Sequence, residues 1–85
     1  MQREGILVAN LRFATHAEID EHDAPMDIDV LVLSGAGYVS VDGAQAQVRA
    51  GQTVRWPAGK QHKLWTTTTT METIMVERLN QVTDD

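Results

Sequence analysis

The chain contains no cysteine. That excludes disulfides, thiol nucleophiles, iron–sulfur clusters and thiolate zinc sites. Basic residues are scarce: seven Lys and Arg stand against twelve Asp and Glu, for a formal net charge of −5. This is the wrong sign for a surface that grips nucleic acid or an anionic membrane, so neither is expected as a partner. No apolar run approaches the roughly 18 residues of a transmembrane helix. The start, Met1-Gln2-Arg3-Glu4, lacks the apolar stretch of a secretory signal, so the expected address is cytoplasmic. Helix signals are nearly absent too, since no stretch carries apolar residues at i, i+3, i+4 and i+7 over three turns.

What is present is a β pattern on a short chain. Eighty-five residues make one domain spanning 1–85, with 1–5 and 80–85 expected to fray. A chain of this size buries only about 60–65% of the surface its unfolded form exposes, so a partner chain or a metal is expected to support the core. Strands are expected at Ile6–Ala14, Ile28–Leu33, Tyr38–Val41, Gln45–Arg49, Gln52–Trp56, His62–Thr68 and Glu72–Leu79. Asp42-Gly43 is a hairpin signal, because both residues tolerate positive φ. Pro57-Ala58-Gly59 is a bend, with proline fixing φ and glycine permitting the turn. Seven or eight short strands with frequent turns indicate an all-β sandwich or barrel. The threonine run Thr66–Thr70 is expected to be extended with its hydroxyls in solvent. The apolar strand start Ile6-Leu7-Val8 is suited to adding to a partner's sheet, so a homodimer is expected.

Gly51, five residues, Pro57-Ala58-Gly59, two residues and His62 form a spacing that resembles the second sequence motif of the cupin superfamily. Only the final asparagine differs, Thr66 standing in its place. Val32-Leu33-Ser34-Gly35-Ala36-Gly37 followed by Val39-Ser40-Val41-Asp42-Gly43 resembles the end of the first motif. Gly35, Gly51, Pro57 and Gly59 are the structural markers of this likeness, which runs from about Ala14 to Val76. It implies a cupin-like double-stranded β-helix, or jelly-roll barrel, whose interior is just wide enough for a ligand or metal among side chains.

The resemblance also implies a metal site, of which this chain retains part. Anchored on Gly35, the first motif's ligand positions fall on His22, Ala24 and Ile28, and its glycine on His16. With His62 from the second motif, two imidazoles remain, and Asp27 is a third candidate near the lost glutamate position. Two neutral imidazoles can hold one divalent transition metal such as zinc, nickel, iron, manganese or copper, with water completing the shell. The alternative is that both are inward histidines held by hydrogen bonds. His16 belongs to a turn and is expected to be exposed.

Trp56, with Ile28 and Val30, is the candidate ligand pocket, whereas Trp65 should lie on the opposite side of its strand from His62. An acidic block (Glu18, Asp20, Glu21, Asp23, Asp27, Asp29) and a basic block (Arg49, Arg55, Lys60, Lys63) are expected to face solvent or cross-pair. Ser34 and Ser40 lack a neighbouring histidine or nucleophile elbow, and Gly35 and Gly37 precede no helix that would make a phosphate loop. The function these residues indicate is a small-molecule-binding cupin with a reduced two-histidine metal site. The alternative is a metal-dependent enzyme of dioxygenase or isomerase type acting on a small molecule.

Overall fold

The structure, a computed structural model, describes residues 2–3, 6–22, 26–78 and 81–82, with side chains described at 6–19 and 26–77. Its strands are β1 (Gln2–Arg3), β2 (Ile6–Phe13), β3 (Glu18–His22), β4 (Ile28–Val41), β5 (Ala44–Arg49), β6 (Thr53–Trp56), β7 (His62–Trp65), β8 (Met71–Arg78) and β9 (Gln81–Val82). No helix occurs among the described residues. The expected all-β jelly roll is therefore the observed fold.

The organising element is β4. Ile28–Leu33 and Tyr38–Val41 were expected as separate strands, yet they are one strand of 14 residues that serves two sheets. Its first half lies between β6 and β8, with β2 beyond β8. Its second half lies between β5 and β7, with β3 beyond β7. The strand turns from one sheet to the other at Gly35, where φ is +78°. A Cβ there would overlap the Thr70 carbonyl, so only glycine fits. A register shift between Val32 and Ser34 opposite β8 marks the same corner.

Every neighbouring strand breaks along this line. On one side Ala50 N–H donates to Gly35 O and Gly51 N–H to Val32 O, closing the gap between β5 and β6. On the other side the gap between β7 and β8 is the threonine run. Thr68 to Thr70 are exposed as expected, but the run is not extended throughout, because Thr66 is buried and residues 67–69 bend. The Thr66 hydroxyl donates to Ala14 O at 2.5 Å and accepts from Ala17 N–H at 3.1 Å. Its backbone N–H donates to Ala17 O, and Thr67 O accepts from His16 N–H. Thr69 Oγ1 donates to Ala36 O at 2.9 Å. These short hydroxylated side chains supply backbone hydrogen bonds where the strand ladders are interrupted.

The inner faces of the two sheets meet in a core of Phe13, Ile28, Val30, Val32, Val39, Val48, Trp56, Leu64 and Met71. Burial alternates along β4 from Ile28 to Leu33 and along β7, as one-sided sheets require. Besides the two-residue strands β1 and β9, one strand was not expected from sequence: β3 lies inside the acidic block, at the edge of its sheet. The fraying expected at 1–5 and 80–85 falls largely outside the described residues; within them, Gln2 pairs with Val82 and Arg3 with Gln81.

Candidate functional site

The bend after β6 builds the site from the outside. Pro57-Ala58-Gly59 reverses the chain, with Gly59 at φ +77° and Lys60 N–H donating to Pro57 O at 3.3 Å. Asp27 secures the bend, its Oδ1 accepting from Ala58 N–H at 2.7 Å. The carboxylate proposed from sequence as a third metal ligand is thus exposed and engaged with the bend and with Arg55, 3.7 Å away. The bend delivers His62 to the first position of β7, which alternation points inward.

His62 is 1% exposed and lies face to face with Trp56, the ring centroids 3.9 Å apart and the planes 14° from parallel. Trp56 closes β6 and is the ladder partner of Ile28. The proposed pocket residues Trp56, Ile28 and Val30 therefore share the inner face, but all three are packed in the core. The Trp56 indole Nε1 is buried and has no hydrogen-bond partner among the described residues; the same holds for Thr73 Oγ1 on β8. Such groups are rare in native interiors and call for a water or a bound polar group.

The second candidate ligand comes from β3. The ladder sets His22 directly opposite His62, after a register irregularity that follows Ile19. The His22 side chain lies outside the described ones. Among the described residues no group of three His, Asp or Glu side chains converges as a metal cage would. His16 sits in a turn with φ +54° and is exposed, as its position in the sequence implied.

An apolar cleft opens on the side of the fold. Between the edges of β5 and β6 lies a cleft of about 420 Å³ whose walls include Val39, Val41, Ala44, Ala46, Val48 and Val54. Val41 is the ladder partner of His62, so one wall is a neighbour of the buried ring. Sequence reading missed this cleft. Its only local signal is the placing of small Ala44 and Ala46 opposite larger valines.

Trp65 falls on the other face of β7, as expected. It stacks on Tyr38 with centroids 5.8 Å apart, and Lys63 Nζ lies 5.2 Å from its ring. The acidic and basic blocks cross-pair at the surface. Arg55 holds Asp29 through two hydrogen bonds of 2.8 and 3.1 Å, and Lys63 reaches Glu18 at 3.0 Å. The hydrogen bond to Asp29 and its charge hold the Arg55 guanidinium above even its ordinary, strongly basic range.

Comparison with known proteins agrees with this geometry. No curated protein matches the chain. A conserved protein of unknown function from Streptococcus pyogenes is 24% identical with a TM-score of 0.81, over 91% of this chain and 73% of its own. A cupin 2 conserved barrel domain protein from Leptotrichia buccalis is also 24% identical, with a TM-score of 0.82 over 91% of this chain and 39% of its own. A predicted oxalate decarboxylase from Thermotoga maritima is 20% identical, with a TM-score of 0.77 over 84% of this chain and 64% of its own. These likenesses establish the fold. The sequence profile of the cupin domain matches residues 11–77, which span both motifs, the corner threonines and the Trp56–His62 pair, and the chain belongs to the cupin domain family.

Proposed function

We propose that this cupin domain binds a small molecule between its sheets, beside a metal site reduced to His22 and His62. The observation that carries the reading is the ladder pairing of these two histidines together with the burial of His62 against Trp56. A histidine from each motif stands at facing positions of adjacent strands, where two imidazoles can share one divalent ion. A bound ion would supply a Lewis acid, and water or ligand atoms would complete its shell. Trp56 Nε1 would offer the ligand a buried hydrogen-bond donor. We take the working unit to be a homodimer, since a core this small is stabilised by a partner chain.

The enzyme reading, dioxygenase or isomerase in type, needs an acid–base group near the ligand. Asp27 does not supply it, being engaged at the Pro57–Gly59 bend. Binding without turnover is therefore the preferred reading.

The test is elemental analysis and calorimetric titration of tag-free protein with zinc, nickel, iron, manganese and copper, beside His22→Ala and His62→Ala. The reading expects near one ion per chain, lost in both variants. Failure of every metal to bind would remove the two-histidine site, and binding retained in both variants would place the ion elsewhere.

A further inference from the structure

We propose that residues 57–61 form a strap over the stacked Trp56–His62 rings, latched by Asp27, and that lifting the strap admits a small molecule to them. This rests on the reading of that ring pair as the binding site and gives it an entrance, while the motion itself is measurable with no metal or ligand bound.

Trp56 and His62 are each 1% exposed, so a ligand reaches their rings only if something moves. Trp56 ends β6 in one sheet, and His62 begins β7 in the other. The chain between them therefore crosses from sheet to sheet at the end of the sandwich where the two rings lie. Both ends of this crossing are fixed. Trp56 is paired with Ile28, and His62 with Val41 and His22, and none of these pairings uses residues 57–61. The crossing itself is lightly held. Residues 57–61 are all exposed, and a Cβ at Gly59 would meet nothing within 4 Å, so the tip has free space beside it. Pro57 carries no N–H, so lifting the strap next to Trp56 breaks no donor bond there.

The bonds that remain divide into a hinge and a latch. Lys60 N–H to Pro57 O, at 3.3 Å, shapes the bend without fastening it to its surroundings. At the His62 end, Asp42 N–H donates to Gln61 O at 2.6 Å, and Lys60 Nζ lies 3.9 Å from Asp42 Oδ2. That end is the hinge, because His62 is fixed beside it. The middle of the strap is held, among the described residues, by Ala58 N–H donating to Asp27 Oδ1 at 2.7 Å. Arg55 steadies this carboxylate from the other side. Its Nη1 lies 3.7 Å from Asp27 Oδ2 while its Nε and Nη2 hold Asp29 at 2.8 and 3.1 Å. An exposed hydrogen bond of this kind contributes little net stability, so the strap can open locally while both sheets stay intact. What opening uncovers is a polar vacancy: Trp56 Nε1 is buried with no hydrogen-bond partner among the described residues.

Acrylamide quenching of Trp56 emission in the full chain tests the strap. The chain has two tryptophans, so Trp65→Phe on the outer face leaves Trp56 as the reporter. In that background Asp27→Ala should raise the quenching constant about fivefold, the factor by which losing one exposed hydrogen bond favours the open strap. Asp27→Asn keeps an acceptor for Ala58 N–H and should stay within about twofold of its parent. Gly51→Ala strains a positive-φ turn beside the β4 corner, and as the control for general loosening it should leave quenching unchanged. Circular dichroism verifies that each variant is folded. Amide exchange in wild type needs no variant: Ala58 N–H should open at a free energy well below that of Val30 in the β4 ladder. Unchanged quenching in Asp27→Ala, an equal rise in Asp27→Asn or Gly51→Ala, or Ala58 exchange no easier than that of Val30 overturns the proposal. Acrylamide needs no bound metal, so quenching as expected beside failed metal binding would fault the binding reading and not the strap.

Discussion

The Thr66 hydroxyl offers the sharpest test of how this fold turns its corner. In Thr66→Val the side-chain shape is kept while the hydroxyl is lost. Two backbone groups then lose their partner: the Ala14 carbonyl, which accepts at 2.5 Å, and the Ala17 N–H, which donates at 3.1 Å. The site is buried, so water does not readily replace the lost oxygen. Each such group costs about 1–3 kcal/mol, and the added methyl returns part of it, so the expected loss is about 2–4 kcal/mol. A domain this size shifts its melting temperature by about 4–8 °C per kcal/mol, so the midpoint should fall by roughly 8–30 °C. Thr68→Val is the internal control. Thr68 is exposed in the same run, and its substitution should move stability by less than about 0.5 kcal/mol. Thermal melts followed by circular dichroism at equal protein concentration would measure both. A Thr66→Val midpoint within about 3 °C of wild type, or one no lower than that of Thr68→Val, would refute the assignment of the threonine run as the corner's hydrogen-bond bridge.

Gly35→Ala should be more damaging than any other glycine substitution, because the new methyl meets the Thr70 carbonyl in addition to the positive-φ penalty of about 1–2 kcal/mol; Gly43→Ala, with open space around it, should lose only that penalty, and comparing soluble yield and melting midpoints separates the two. Asp27→Ala removes the acceptor of Ala58 N–H and should cost about 1 kcal/mol by chemical denaturation, with the midpoint rather than the slope changing. Trp56→Ala empties space against His62 and Ile28 and should cost about 3–5 kcal/mol, whereas Trp65→Ala on the outer face should cost visibly less. Arg55 is held above its already basic range in the folded chain, so its share of stability is fully present below its unfolded value and disappears only above it. The difference in melting midpoint between wild type and Arg55→Gln should accordingly stay flat between about pH 6 and 9; a marked slope there would assign the effect to another group.

Features of the fold written in neighbouring residues were legible from sequence. Asp42-Gly43 and Pro57-Ala58-Gly59 each encode their geometry within a few positions, and each appears where expected. What escaped depended on residues far apart. Thr66 looks like any other strand threonine until the chain brings Ala14 and Ala17, some 50 positions away, to its hydroxyl. β3 was missed because Glu18-Ile19-Asp20-Glu21-His22 has one apolar residue to show, being an edge strand with little core to face. The facing of His22 and His62 is a property of register between β3 and β7, and no local pattern sets register. That Leu31 and Leu33 are exposed on the same sheet as Ile6 and Val8 depends on register in the same way.

The sharing of β4 between both sheets also governs how the molecule comes apart. Neither sheet has a boundary across which it can detach, because freeing either half of β4 strips the central member from a four-stranded ladder. Amide protons at Val30 and Val39, on opposite sides of the corner, should exchange with solvent through one common opening of the whole domain, at equal free energy. Assembly inherits the same restriction. Residues 62–78 must find residues 28–41 before either sheet is complete, so the chain closes long loops early and is a slow folder for its length.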